Sequence, residues 1–94
     1  MTSYLVGHIT VKNDELWQKY LSGVQESLLP FKSNVIFRGK LAAVLAGKHE
    51  HDLSVVIEFP DQNTLTKWYN SKKYQSLIPL RDKAADVVLV SFNA

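Results

Sequence analysis

Two residues interrupt apolar strands in a way that invites chemistry. Glu58 lies within Val55-Val56-Ile57-Glu58-Phe59-Pro60, and His8 lies within Tyr4-Leu5-Val6-Gly7-His8-Ile9. A carboxylate among apolar neighbours is costly unless it is paired or protonated. Glu58 is therefore either a base or ligand anchor, or a paired carboxylate holding Arg81, Arg38 or a residue of a second subunit. An imidazole titrates in the range that suits proton transfer, which makes His8 the second catalytic candidate. The plainer account of His8 is a hydrogen-bonded histidine at an interface. Within one subunit a dyad of the two fails on spacing, and only a shifted register or a dimer axis would bring them together. With Val6 opposite Val56 in antiparallel neighbours, Glu58 faces Tyr4, and His8 falls about 13 Å farther along the sheet.

A second group follows Pro60: Trp68, Tyr69 and Tyr74, with Arg81 beyond them. Aromatic rings with N–H and O–H groups can line and orient a ligand pocket, and a guanidinium can grip a carboxylate or phenolate with two hydrogen bonds. The same residues serve equally well as helix-to-sheet packing, with Arg81 bridging to Glu58. His49-Glu50-His51 spaces two imidazoles on one side of an extended chain, half of a metal site, but a polar turn without a convincing third ligand reads as two solvated histidines. No metal site is expected. The chain has neither a glycine-rich phosphate loop nor a Gly-x-Ser-x-Gly nucleophile elbow, and Ser71 has no histidine nearby in sequence to activate it.

The elements that must position these groups follow from periodicity and punctuation. Residues 3–11 alternate as a strand, with Tyr4, Val6, His8 and Thr10 on one face and Leu5, Gly7, Ile9 and Val11 on the other. Asn13 or Asp14 caps a helix whose apolar stripe is Leu16, Trp17, Tyr20, Leu21, Val24 and Leu28, and Pro30 ends or distorts it. A strand at 34–38, a Gly39-Lys40 turn and a bent strand or hairpin over 41–45 come next, followed by a turn over 47–52 and a strand at 53–59. Asp61 or Asn63 caps a second helical region, which Pro79 breaks in two, and a last strand runs over 87–92. The order β-α-β-β-α-β is the ferredoxin-like plan: an α+β fold with a four-stranded antiparallel sheet and both helices on one face. The strand at 53–59 is apolar at nearly every position, so the other face also needs a cover. Packing against a second sheet supplies it and predicts a dimeric α+β barrel.

Composition bounds the rest. A chain of 94 residues is expected to form a single domain over 1–94, burying roughly 60–65% of its unfolded surface. Hydrophobic residues make up 46% of it, more than one small monomer needs, which again favours a homodimer. A net charge of +2 creates no field for a polyanion, so nucleic acid is disfavoured as a partner. The absence of cysteine excludes disulfides, thiolate metal sites and thiol nucleophiles. No apolar run approaches a membrane span and no secretory leader pattern opens the chain, so the expectation is a cytoplasmic protein without membrane partners.

Several of these residues carry a resemblance. Glu58-Phe59-Pro60, then Trp68-Tyr69-x-Ser71-x-x-Tyr74-Gln75, then Leu80-Arg81 with Ala84-Ala85, resembles domain-of-unknown-function family 1330, over nearly the whole chain. Arg38-Gly39 falls where family members tend to carry an arginine and glycines. Two features depart from the pattern: Ser33-Asn34 replaces a usual Gly-Gly pair, and Asp52-Leu53 stands near the place of a usual arginine. The resemblance implies a dimeric α+β barrel akin to small monooxygenases that use no cofactor, and it implies no established activity.

Three functions compete on this basis. The first is a small-molecule-binding dimer, extending to cofactor-independent catalysis on small aromatic or acidic substrates, with Arg38, Glu58, Trp68, Tyr69, Tyr74 and Arg81 as ligand contacts. The second is a non-catalytic structural or protein-interaction dimer module. The third, RNA binding, shares the element order, but Glu58 stands where a stacking ring is needed.

Overall fold

The computed structural model describes residues 1–94. Four strands form one antiparallel sheet: β1 (Ser3–Val11), β2 (Asn34–Lys40), β3 (Leu53–Phe59) and β4 (Ala85–Asn93), in the spatial order β2-β3-β1-β4. Helices α1 (Asp14–Leu28), α2 (Gln62–Tyr69), α3 (Lys72–Gln75) and α4 (Ile78–Ala84) complete the ferredoxin-like α+β fold. The register places Val6 opposite Val56, the pairing on which the sequence spacing rests, and hence Tyr4 opposite Glu58. His8 faces Ser54.

Alternation along β1 sends Ser3, Leu5, Gly7 and Ile9 to the helix side, where all four are buried, while Tyr4, Val6, His8 and Thr10 on the outer side are half-buried. The core joins Leu5, Ile9, Ile57 and Phe59 of the sheet to Trp17, Tyr20, Leu65, Trp68 and Tyr74 of the helices. Helix α1 begins where the Asn13 side chain accepts from the Leu16 N–H at 3.0 Å, with Asp14 and Glu15 suited to the positive end of its dipole. It ends before Pro30. The cap of α2 is Asp61, which accepts from the Thr64 N–H at 2.7 Å; that bond holds the carboxyl below its usual range.

The second helical region breaks in a different place from the one expected at Pro79. The first break is at Asn70-Ser71, where the Ser71 hydroxyl donates to the Trp68 carbonyl at 2.7 Å and accepts from the Tyr74 N–H at 3.2 Å. Pro79 lies in the first turn of α4, where no intrahelical partner awaits its missing N–H. β4 begins at Ala85, two residues before the strand start expected at Val87. The largest departure is at 41–45, where no strand forms. β2 ends at Lys40, and residues 41–45 join no ladder within the chain; only Val44 among them is a strand former, the others being alanine and leucine.

The outer face of the sheet carries no helix. Exposed Phe37, Val88, Val90 and Phe92 surround half-buried Val6 and Val56 there. The molecule is a slab of 35 × 32 × 16 Å. Its accessible surface is 6139 Å², whereas a compact monomer of 10.7 kDa exposes about 5500 Å². No helix is long and apolar enough to cross a membrane.

Candidate functional site: an apolar cleft beneath the first helix

Helix α1 stands off the inner face of the sheet and leaves a cleft of about 800 Å³. Its floor comes from all four strands, including Val35, Leu5, Ile57 and Leu89. Gly7 contributes by having no side chain: a Cβ there would meet Val55 at 3.0 Å and Leu89 at 3.1 Å, so the flanking strands close over it. The wall is the apolar stripe of α1, chiefly Trp17, Leu21, Val24 and Leu28, with Phe31 and Trp68 beside it. Volume and lining both fall in the range of small-molecule sites.

Sixteen of the twenty-one lining residues are hydrophobic, and Arg38 alone is charged. The bulge of β2 between Val35 and Phe37 explains its placement: past the irregularity, Arg38 pairs with Val55, an inner-face residue, while Phe37 and Gly39 pair with outer-face Val56 and Ser54. Arg38 is exposed and makes no ion pair or side-chain hydrogen bond within the chain. Its guanidinium thus stands free at the mouth of an apolar space, offering paired donors to an anion or carbonyl oxygen.

The other residues singled out in the sequence divide into three places. Trp68 reaches the cleft. Its indole N–H donates to Ser27 Oγ at 2.9 Å, and Ser27 donates onward to the Val24 carbonyl at 2.7 Å, which ties α2 to α1 through two fully buried side chains. Sequence reasoning missed Ser27, although a serine in line with Tyr20 and Val24 on an apolar helical stripe is a signal of a buried polar pair.

Arg81, Tyr69 and Tyr74 come together behind Trp68, outside the cleft lining. One terminal nitrogen of Arg81 donates to the Tyr74 hydroxyl at 3.1 Å and to the Tyr69 hydroxyl at 3.4 Å, and its Nε donates to Asp82 at 3.1 Å. Tyr74 in turn shares a 2.8 Å hydrogen bond with the hydroxyl of Tyr20, whose ring borders the cleft. Burial first, and Tyr74 second, push the Tyr20 phenol above the usual range, so it stays protonated. Burial works against the charge of Arg81, but its hydrogen bonds to Tyr69 and Tyr74 outweigh it and hold the guanidinium protonated. This cluster pins α4 to α2 and α3.

Glu58 takes no part in it. The side chain lies on the outer side of the sheet, opposite Tyr4 and Asn34, so the bridge from Glu58 to Arg81 considered on sequence grounds is absent; strand alternation puts the two on opposite sides of the sheet. It borders a shallow hollow with Thr2, Lys32, Asn34 and Pro60, without an ion pair.

His8 is also on the outer face, four positions from Tyr4 along β1, which keeps it from Glu58. Its companions are imidazoles. The His49 ring packs edge-on against it at 4.9 Å, and His51 lies 6.2 Å from His49 between ring centroids. Nδ1 of His8 hydrogen-bonds Ser54 Oγ at 3.0 Å, and Nδ1 of His51 hydrogen-bonds Thr10 Oγ1 at 2.9 Å. Burial, then His49, then His51 lower the His8 pKa. The imidazoles are not arranged to hold a metal ion.

A family model described as a domain of unknown function (DUF1330) matches residues 2–93. The chain belongs to the DUF1330 family. No curated protein matches it in sequence. Among solved structures, the RPA0582 protein of unknown function from Rhodopseudomonas palustris is similar, with a TM-score of 0.82 at 14% identity over 99% of this chain and 82% of that one. A dimeric ferredoxin-like protein of unknown function from Thermobifida fusca gives 0.67 at 14% identity, covering 100% and 92%. SnoaB, a cofactor-independent oxygenase from Streptomyces nogalater, gives 0.68 at 9% identity, covering 99% and 92%. At these identities the likeness is one of fold.

Proposed function

We propose that this DUF1330 protein is a homodimer that binds a small, largely apolar molecule in the cleft beneath α1, with a carboxylate, phenolate or enolate oxygen of the ligand on Arg38. One observation carries the reading: the only charged residue lining an otherwise apolar cleft has no partner in its own chain. An apolar body is stabilised by the lining, and an anionic end by the guanidinium. Trp68 supplies an aromatic wall, and Tyr69, Tyr74 and Arg81 act behind it by fixing α2 to α4. The lining contains no carboxylate and no imidazole, so the reading is one of binding rather than turnover. The likeness to SnoaB adds only that this fold occurs in a cofactor-independent oxygenase.

The dimer part rests on the uncovered outer face and the 16 Å thickness of the slab. Stacking two copies face to face doubles the short dimension to match the other two. The roughly 600 Å² of surface in excess of a compact monomer is a large share of the about 800 Å² per partner that a stable interface buries. The structural-module alternative predicts the same dimer without ligand binding.

Thermal-shift and calorimetric titrations with benzoate, phenylacetate and octanoate, each against its alcohol, test the site. The carboxylates should raise the melting temperature more than the alcohols, and Arg38→Gln should abolish the difference. Equal responses from acid and alcohol, unchanged in the variant, would defeat the assignment of Arg38. Light scattering should give a mass twice the 10.7 kDa of one chain.

A further inference from the structure

Between β2 and β3 runs a twelve-residue connection, Leu41 to Asp52, without regular structure. Connections of this length inside a small domain usually have a task. Its two limbs differ in kind. The base is closed by the Leu41 N–H donating to the Asp52 carbonyl at 2.6 Å, and the turn is made at Gly47, the one residue with positive φ (79°). The returning limb is held to the outer face of its own sheet, His49 against His8 and His51 on Thr10. The outgoing limb, Leu41-Ala42-Ala43-Val44-Leu45-Ala46, makes no hydrogen bond beyond the one at its base.

Every residue of that outgoing limb is exposed, Leu45 to 96%. The backbone groups of residues 42–46 form no backbone hydrogen bonds within the chain. Six apolar residues in succession, the last five with unpaired N–H and C=O groups, form a surface for strand pairing or apolar docking by another chain. They are attached, through the histidines of the returning limb, to the face that carries Phe37, Val88, Val90 and Phe92. A second copy that covers this face also meets the limb.

We infer that residues 41–46 form an arm that packs on the second copy of this chain, extending the sheet-to-sheet interface beyond the sheet, with His8, His49 and His51 as the latch that holds the arm in position. The inference rests on the homodimer reading above. It accounts for six exposed apolar residues, five of them with unpaired backbone groups, in one chain: the surface that covers them belongs to the other copy.

Sedimentation and hydrogen exchange on the full chain test this together. The wild type should dimerise, and amides of 42–46 should be slow to exchange only at concentrations where the dimer forms. The double substitution Val44→Asp with Leu45→Asp should weaken dimerisation at least tenfold while leaving the circular dichroism of the fold intact. Val90→Asp, on the sheet face, reports on the dimer reading alone. If Val90→Asp produces monomers while the arm substitutions leave dimerisation and exchange unchanged, the dimer stands and the arm is refuted. Protection of 42–46 at every concentration means that the arm packs on its own chain, which also overturns the inference. A wild type that stays monomeric overturns both readings.

Discussion

Replacing Ser27 with alanine separates packing from hydrogen bonding at the wall of the cleft. Ser27 is 2% exposed and Trp68 is 1% exposed, so the indole N–H that donates to Ser27 Oγ at 2.9 Å has no route to bulk water. Alanine fills nearly the same space but removes the acceptor, and a buried unsatisfied donor costs about 1–3 kcal/mol. Alanine is also the better helix former, which returns up to about 0.5 kcal/mol near the end of α1. The net expectation is a loss of about 0.5–2.5 kcal/mol, which for a chain this short lowers the melting temperature by roughly 3–13 °C. Calorimetry at one fixed protein concentration is the appropriate assay, since a dimer melts in a concentration-dependent way. The decisive comparison is a cycle with Trp68→Phe. That background has no indole N–H, so Ser27→Ala should there be within about 0.5 kcal/mol of neutral. An equal loss in both backgrounds would show that Ser27 acts through something other than Trp68, and the account of how α2 is tied to α1 would be wrong.

Three further outcomes are expected. Tyr74→Phe removes the hydroxyl shared by Tyr20 and Arg81, leaving the buried Tyr20 hydroxyl without its 2.8 Å partner; denaturant unfolding should show a loss of about 1–3 kcal/mol, and ultraviolet titration should show the Tyr20 phenol moving down toward the normal range. The His8 pKa is depressed, so its neutral form is the one favoured by folding: its contribution is complete above the ordinary value of 6.5 and is lost as pH falls through the lower folded value. Proton NMR should place the His8 midpoint below 6.5, and His49→Ala should move it back up; a midpoint at or above 6.5 in the wild type contradicts the crowded imidazole geometry. Gly47→Ala meets no neighbour within 4 Å but must adopt φ of 79°, so it should cost about 1 kcal/mol through the backbone alone. Fluorescence-monitored unfolding without any change would indicate that the arm is uncoupled from the fold.

The parts of this structure legible in the sequence are those set by local period. Alternation in β1 and β3 determines which side chains share a face, and once Val6 and Val56 are paired, the positions of Glu58 opposite Tyr4 and His8 opposite Ser54 follow. The same reasoning excludes a dyad of His8 and Glu58 within one subunit. Side-chain partnership across elements was not legible. Arg81 and Glu58 are both polar residues in apolar surroundings, but the hydroxyls of Tyr69 and Tyr74 satisfy Arg81, and those are fixed by the break at Ser71 rather than by any charge pattern. The meeting of His8 with His49 depends on how a long connection folds back, which no periodicity encodes. The cleft was hidden for a related reason: the stripe of α1 shows that the helix is buried on one side, not how far it stands from the sheet. The cleft's charged residue was visible as Arg38-Gly39, but its inward placement depends on a bulge one residue long.

The position of β1 has a consequence for how the protein is made. It is synthesised before β3 and β4, yet it lies between them, pairing Ser3 with Phe59 on one side and with Asn93 on the other. Neither neighbour exists while α1 is emerging, and the ladder with β4 requires residues about as far apart as the chain allows. Such non-local closure is slow compared with helix formation. On the ribosome, β1 therefore keeps a row of backbone N–H and C=O groups unpaired on that side until residues 85–93 have cleared the exit tunnel.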